Sequence, residues 1–406
     1  MYQDYPEIKK YFNELNAQKY HYNNSNDICT PMECVKEMVD AIPEEFWQRE
    51  CISILDPCAG NGNFPAYLIT KTSIKNIQMN EINPIRVKNL REYFNNEANV
   101  TEQDFLKFST NKKFDLIIAN PPFAKFMENG QRAAKNHSLS REFLKKAYDL
   151  INDNGYIVFI LPDNWMSYAD RNNMPKLLSA YHFVELNLGE CKKYFPGVGS
   201  SFTWFVWKKE KNDLPTIIHN GYKIKDTQEV ILPSNVSYIP LYCHPLVQNI
   251  FNKVINSTGE KYKIQTSSNL HKYTKAHLLN TIKTDEFKYE IVHTPSQTVW
   301  SKQPHIYQDG WKVYIATTTN YQTFIKKDCG MTQSIAFILC DNEEEAIRIN
   351  EELQQPVYKM IVALTRYGNF NNIRILQNMT VFNKLNLTKE ENEIVAKINK
   401  IYYKST

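Results

Sequence analysis

Residues 55–64 read Leu55-Asp56-Pro57-Cys58-Ala59-Gly60-Asn61-Gly62-Asn63-Phe64. The apolar run ahead of them, 51–55, has the composition of a strand, a helical pattern opens near Phe64, and two glycines stand between. That density matters because the 406-residue chain holds only 12 glycines, about 3% where roughly 7% is usual. Glycine takes positive φ and lets backbone approach a ligand closely, so a glycine pair at a strand-to-helix turn points to a binding loop. The spacing is not that of a GxGxxG fingerprint, and no Lys-Ser/Thr follows as in a P-loop. A plain turn between strand and helix would use the same letters.

Outward from this loop, short runs rich in β-branched and aromatic residues predict strands at 51–55, 77–82, 114–120, 155–162, 183–188 and 201–207. Helices are predicted between them. One is capped by Thr30 with Pro31 at its first position and has Val35, Met38, Val39 and Ile42 at helical spacing. Another starts near Ser140 with an apolar face of Phe143, Leu144, Ala147, Leu150 and Ile151, stopped by Asn-Asp-Asn-Gly. Alternating β and α segments predict an α/β domain with a mostly parallel, doubly wound sheet.

Near Lys208 the pattern becomes irregular after the polar, proline-ended run KKEKNDLP, which places an expected domain boundary at about 211, with domains 1–211 and 212–406. Later, 334–340 has strand character, 341–353 is a helix with acids in its first turn, and 356–368 is a second helix closed by the glycine at its end.

With 42% hydrophobic and 23% charged residues, the chain is neither collagen-like, nor wholly disordered, nor a multi-span membrane protein. Its first residues lack a signal-peptide core, nothing approaches 18 uninterrupted apolar residues, and the eight cysteines show no CxxC or paired zinc spacing. A soluble cytoplasmic protein with reduced thiols is expected. Lys and Arg number 25 against 26 acids in residues 1–210 and 23 against 18 in 211–406, so the excess positive charge lies in the second half. That permits an anionic partner there and equally fits a solvated basic surface.

Two further signals complete the pattern. Glu81 ends the second predicted strand, where nucleotide-binding α/β folds place an acid to accept from a ribose diol, although a strand-end acid can also be plain surface. Asn120-Pro121-Pro122-Phe123 directly follows the strand at 114–120. The prolines stop the strand and stiffen the backbone, leaving the Pro121 carbonyl outside any ladder. Beside it stands the Asn120 side-chain carbonyl, and Phe123 offers an aromatic face.

DPCAGNG, Glu81 and NPPF together resemble the S-adenosylmethionine-dependent amino-methyltransferases. Thr30-Pro31 ahead of the loop is similar to the N-terminal motif of the gamma-class DNA N6-adenine methyltransferases of Type II restriction-modification systems. The resemblance covers residues 20–210 and extends loosely to 334–368. It implies a Rossmann-like class I methyltransferase domain with a mixed, mostly parallel seven-stranded sheet, followed by an α+β target-recognition domain. It also implies S-adenosylmethionine as cofactor, duplex DNA as partner, and a separate restriction endonuclease sharing the recognition site.

Position by position, the resemblance implies that Asp56, Ala59 and Gly60 line the methionine moiety, with Thr30 near its carboxylate. Glu81 would hold the ribose hydroxyls, Ile82 would cover the cofactor's adenine, and Asp104 would take its amino group beside the Phe105 backbone. Asn120 and the Pro121 carbonyl would bind the target amino group. Phe123 would stack on the target base and Phe195 would supply a second aromatic against it, or simply belong to the core.

The chemistry needs no metal. An exocyclic amine conjugated with its ring is a poor nucleophile, so two acceptors must draw its N–H groups and aim its lone pair. In duplex DNA the base must first be flipped out of the stack. Lys125, Arg132 and Lys135, in the polar stretch 124–138, are candidate phosphate contacts or plain loop residues. Six lysines against one acid in 253–283, Lys261, Lys263, Lys272 and Lys275 among them, with Tyr262 and Tyr273 interleaved, suggest DNA contact or a solvated face. Competing readings are methylation of an RNA base or a protein glutamine, and an idle DNA-specificity subunit.

Overall fold

The alternating apolar runs of the N-terminal half assemble into one sheet. The computed structural model describes residues 4–17, 28–123, 139–196, 199 and 201–403. Helices α1 (Tyr5–Asn16), α2 (Met32–Asp40) and α3 (Glu44–Trp47) precede β1 (Ile54–Asp56). There follow α4 (Asn63–Leu68), β2 (Ile77–Glu81), α5 (Pro84–Tyr93), β3 (Asn99–Glu102), β4 (Phe114–Ala119), α6 (Leu139–Leu150) and β5 (Ile151–Pro162). Then come α7 (Met174–Ser179), β6 (Tyr181–Leu188), β7 (Phe202–Lys211), β8 (Thr216–Asn220) and β9 (Asp226–Val230).

The strand order is β3-β2-β1-β4-β5-β7-β6-β8-β9. Strands β1 to β5 pair in parallel, β7 runs antiparallel to both β5 and β6, β8 is parallel to β6 and β9 antiparallel to β8. The central strands carry continuous buried apolar runs, 116–119 in β4 and 156–161 in β5, as a sheet buried on both faces requires. Phe202 to Trp207 are all buried, and the indole N–H groups of Trp204 and Trp207 reach Glu37 Oε1 (3.2 Å) and the Leu178 carbonyl (2.8 Å), which removes the cost of burying them.

Four local expectations change. The sheet has nine strands rather than seven, because it continues past 211. The polar run there is the end of β7, and the chain divides into one unit of Met1–Trp165 with Asn172–Ser237 and another of Met166–Arg171 with Tyr238–Thr406. Pro31, not Thr30, holds the cap position of α2, since the Thr30 hydroxyl is engaged by Asn120. No loop separates α6 from β5. The Asn-Asp-Asn-Gly turn instead loops out inside β5, where the β4–β5 register slips and Asn154 takes φ 58°. Finally the helix expected over 356–368 ends at Leu364, four residues before Gly368, where the Thr365 hydroxyl donates back to the Ile361 carbonyl at 2.8 Å.

The second unit begins its regular structure with α8 (Pro245–Val254) and builds two four-stranded sheets. Their strands are β10 (Gln265–Thr266), β11 (Leu279–Asn280), β12 (Tyr289–Thr294), β13 (Gln297–Ser301), β14 (Trp311–Ala316), β15 (Thr323–Lys327), β16 (Gly330–Met331) and β17 (Ile335–Cys340). The orders are β10-β17-β14-β15 and β11-β13-β12-β16. Helices α9 (Glu343–Leu353), α10 (Pro356–Leu364), α11 (Ile373–Gln377) and α12 (Lys389–Tyr402) complete it. Among the described residues no helix is long and apolar enough to cross a membrane.

Candidate active site

The segments that leave β1, β2, β3 and β4 line a cleft of about 540 Å³, with Ile28 to Thr30 on one side and Leu139 and Phe143 of α6 on another. Crevices at the carboxyl ends of parallel strands are where open α/β sheets bind ligands, and this volume is that of a small-molecule site.

Gly60 and Gly62 both take positive φ, 58° and 100°, and Gly62 N–H donates to the Ala59 carbonyl at 2.8 Å, closing the turn that starts α4. A side chain at Gly62 would stand 2.8 Å from Leu90 Cδ2, so its glycine is required twice, by conformation and by space. Glu81 is 3% exposed. Its Oε2 accepts from Gly60 N–H at 2.7 Å and its Oε1 from the Ile82 and Asn83 amides at 2.9 and 2.8 Å. The strand-end acid therefore braces the glycine loop as well as facing the cleft, a role its position in the sequence does not announce.

Asn80 and three other asparagines were invisible in the sequence, being lost in an Asn-rich chain. Asn80 Nδ2 donates to the Pro57 carbonyl (3.2 Å) and the Gln103 carbonyl (3.0 Å), tying the glycine loop to the segment that carries Asp104. Asn63 donates to the Thr30 carbonyl at 2.8 Å, and Asn16, at the end of α1, joins Asn61 and Asn63. Asp104 Oδ1 accepts from the Leu106 amide at 3.0 Å and caps the 3₁₀ turn Phe105–Lys107.

Asn120 shows the most directed geometry. Its Nδ2 donates to the Ile28 carbonyl (2.8 Å) and to Thr30 Oγ1 (3.0 Å). A backbone carbonyl only accepts, so the amide orientation is fixed and Oδ1 is turned away from both tethers. That Oδ1 is buried and has no partner among the described residues. Pro121, Pro122 and Phe123 line the cleft beside it, and the Phe123 ring lies 5.4 Å from that of Phe202.

Asp56 is 1% exposed and stands beneath the loop rather than in the cleft lining. Its Oδ1 accepts from the Cys58 amide at 3.1 Å and its Oδ2 has no partner among the described residues. Burial pushes its carboxyl up to about 8 against the pull of the Cys58 amide, with the Glu81 charge adding to the rise.

Of the remaining expected residues, Thr30, Ala59, Gly60, Glu81, Ile82, Asp104 and Phe105 all line the cleft. Ile82 is 64% exposed, an apolar side chain held open at the rim. Phe195 does not line it: the ring is 4% exposed and lies 5.0 Å from Phe202 in the core. Lys125, Arg132 and Lys135 lie outside the described residues.

In the second unit Lys263 is exposed, whereas Lys261 is consumed internally. Its Nζ donates to the Val254 and Ile255 carbonyls, Ser257 and Thr380, and burial lowers its pKa. Lys275 is tied to the Ser268 and Asn269 carbonyls and Lys272 to Gln297. Tyr262 is buried and donates to Glu352, leaving Tyr273 as the exposed aromatic of that stretch. Among the described residues no cluster of His, Cys, Asp and Glu could hold a metal ion.

The order β3-β2-β1-β4-β5-β7-β6 with β7 reversed, and the cleft at the strand ends, define the class I methyltransferase fold. Residues 48–194 match the model of the Eco57I restriction-modification methylase family. The chain is 25% identical over 217 residues to the Type II methyltransferase M.VspI of Vibrio sp. (strain 343), covering 49% of this chain and 52% of that one. It is 29% identical over 160 residues to the tRNA1(Val) (adenine(37)-N6)-methyltransferase of Haemophilus influenzae (strain 86-028NP), 36% of this chain and 66% of the relative. It thus spans about half the length of the Vibrio relative.

Two solved structures share the fold across both units. The DrdV–DNA complex has a TM-score of 0.57 at 10% identity, covering 95% of this chain and 58% of that one. A nuclease-deletion mutant of the Type ISP restriction-modification enzyme LlaGI, with a DNA substrate mimic, has a TM-score of 0.52 at 12% identity, covering 92% and 54%.

The cleft fits S-adenosylmethionine on its own chemistry: a cradle of two positive-φ glycines, a carboxylate at the end of β2, a second at Asp104, and Ile82 free to cover a ring.

Proposed function

We propose that the chain moves a methyl group from S-adenosylmethionine to the N6 amino group of an adenine flipped out of duplex DNA, as a gamma-class methyltransferase of the restriction-modification kind. The second unit, Tyr238–Thr406 in its main part, serves as its target-recognition region, with Lys263, Lys272 and Lys275 as candidate DNA contacts. The observation that carries the reading is the buried Asn120 Oδ1, without a partner among the described residues, held in place from its other end and flanked by Pro121.

Thr30, Ala59 and Gly60 hold the methionine end of the cofactor, the Glu81 carboxylate accepts from the ribose, and Ile82 and Asp104 take the adenine. Bound there, S-adenosylmethionine supplies a methyl group on a positively charged sulfur, already activated for attack. The chain's own work is positional. Asn120 Oδ1 and the Pro121 carbonyl accept from the two N–H groups of the target amine, which aims its lone pair into the cleft. Phe123 stacks on the extruded base and offsets part of the unstacking cost of roughly a few kcal/mol.

An RNA base is the second reading, favoured by the 29% identity to a tRNA adenine methyltransferase. Incubation with methyl-tritiated S-adenosylmethionine and duplex DNA, tRNA or a protein substrate in separate reactions decides between them. Label in DNA is the expected result. Label in tRNA or protein alone contradicts it, and no label anywhere favours a catalytically idle DNA-specificity subunit.

A further inference from the structure

The Asp104 segment is held from outside the cleft by a residue the motifs do not mark. Lys146, on α6, extends its Nζ to three backbone carbonyls of one short stretch: Phe105 at 2.6 Å, Leu106 at 3.0 Å and Phe108 at 2.5 Å. An ammonium has three donors, and all three are spent here. Its Nζ lies over the Phe105 ring, 5.0 Å from the centre, and that ring lies 5.1 Å from Phe143 of the same helix. Burial lowers the Lys146 pKa, and the nearby Asp104 charge opposes that fall.

We propose that Lys146 is a positioning residue for recognition of the cofactor's adenine, and that it acts through Asp104. This rests on the methyltransferase reading above. Three carbonyls gathered on one cation set the path of the 3₁₀ turn Phe105–Lys107, and that turn is capped by the Asp104 side chain through Leu106. With Oδ1 committed to the Leu106 amide, the direction of the remaining Asp104 oxygen is fixed by the turn. Lys146 fixes the turn. A carboxylate at that place can accept from a 6-amino group but repels a 6-oxo group. No other lysine is needed to explain why a half-exposed acid keeps one orientation.

Lys146→Met keeps most of the stem and removes the charge and the donors, while Lys146→Gln keeps two N–H donors without the charge. Calorimetric titration would compare S-adenosylhomocysteine with S-inosylhomocysteine, which carries oxygen in place of the amino group. The wild-type protein should prefer the adenine form by about tenfold or more, the range of a hydrogen bond to a charged group. In Lys146→Met that preference should fall towards one, with the adenine form weakened about tenfold and kcat at saturating cofactor within about twofold of wild type. Lys146→Gln should fall between. In an Asp104→Ala background Lys146→Met should cost nothing further.

Thermal melts confirm that each variant is folded. A folded variant of either kind that keeps the wild-type preference overturns the proposal, as do additive losses in the double variant. Failure of the wild-type protein to bind S-adenosylhomocysteine overturns the methyltransferase reading and this proposal with it. Wild-type binding that Lys146→Met leaves intact overturns this proposal alone.

Discussion

Thr30 Oγ1 and Asn120 Nδ2 are 3.0 Å apart although 90 residues separate them in the chain. This contact, with the Ile28 carbonyl beside it, turns the Asn120 carbonyl oxygen into a fixed acceptor. Thr30→Val preserves shape and removes the tether, so the amide gains freedom. The expected result is a fall in kcat of about tenfold, the scale of a misplaced transition-state acceptor, with a smaller change in cofactor affinity. An unchanged kcat would show that the tether does not matter to transfer.

Stability should depend on pH through Asp56. Its folded-state pKa of about 8 stands above the ordinary 3.8, so the folded chain keeps a proton that the unfolded chain releases. The contribution is full below about pH 4 and is lost as pH rises towards 8. Asp56→Asn mimics the protonated form at every pH. Its melting temperature should exceed that of the wild type by an amount that grows between pH 5 and pH 8, and a difference that stays flat across this range contradicts the assignment.

Gly62→Ala tests the loop itself. At φ 100°, and with the new methyl 2.8 Å from Leu90 Cδ2, the substitution should cost about 2 kcal/mol in denaturant unfolding and weaken cofactor binding. The same change at Gly199, where a Cβ meets nothing within 4 Å among the described residues, should be nearly silent in stability.

Phe123 and Phe195 should separate cleanly. Phe195→Ala empties a core position and should cost about 3 kcal/mol of stability, whereas Phe123→Ala, at a half-buried position lining the cleft, should leave the melt close to wild type and weaken target binding. Equal melts for the two variants would contradict the burial seen here.

These contrasts follow what the sequence could and could not reveal. The glycine turn and the Asn-Pro-Pro-Phe stop were legible because positive φ and proline restriction are properties of a few adjacent residues. The strands of the main sheet were legible because buried parallel strands are continuous apolar runs. Residues whose meaning depends on a distant partner were not. Lys261 looked like surface charge until Thr380, 119 residues away, claimed it. The resemblance offers Phe195 as a second aromatic against the base or as core, and it packs against Phe202 in the core. The extra strands β8 and β9 are not legible because they are five residues each and largely polar, TIIHN and DTQEV, and the polar run before them is a strand end rather than a junction.

The most direct test of the account is nucleoside mass spectrometry on duplex DNA incubated with deuterium-labelled S-adenosylmethionine and either wild-type protein or Asn120→Ala. The account predicts labelled N6-methyl-2′-deoxyadenosine with the wild type and none above background with the variant, while both bind the cofactor equally. Label on cytosine N4 instead, or equal labelling of adenine by a variant that lacks the Asn120 acceptor, would contradict it.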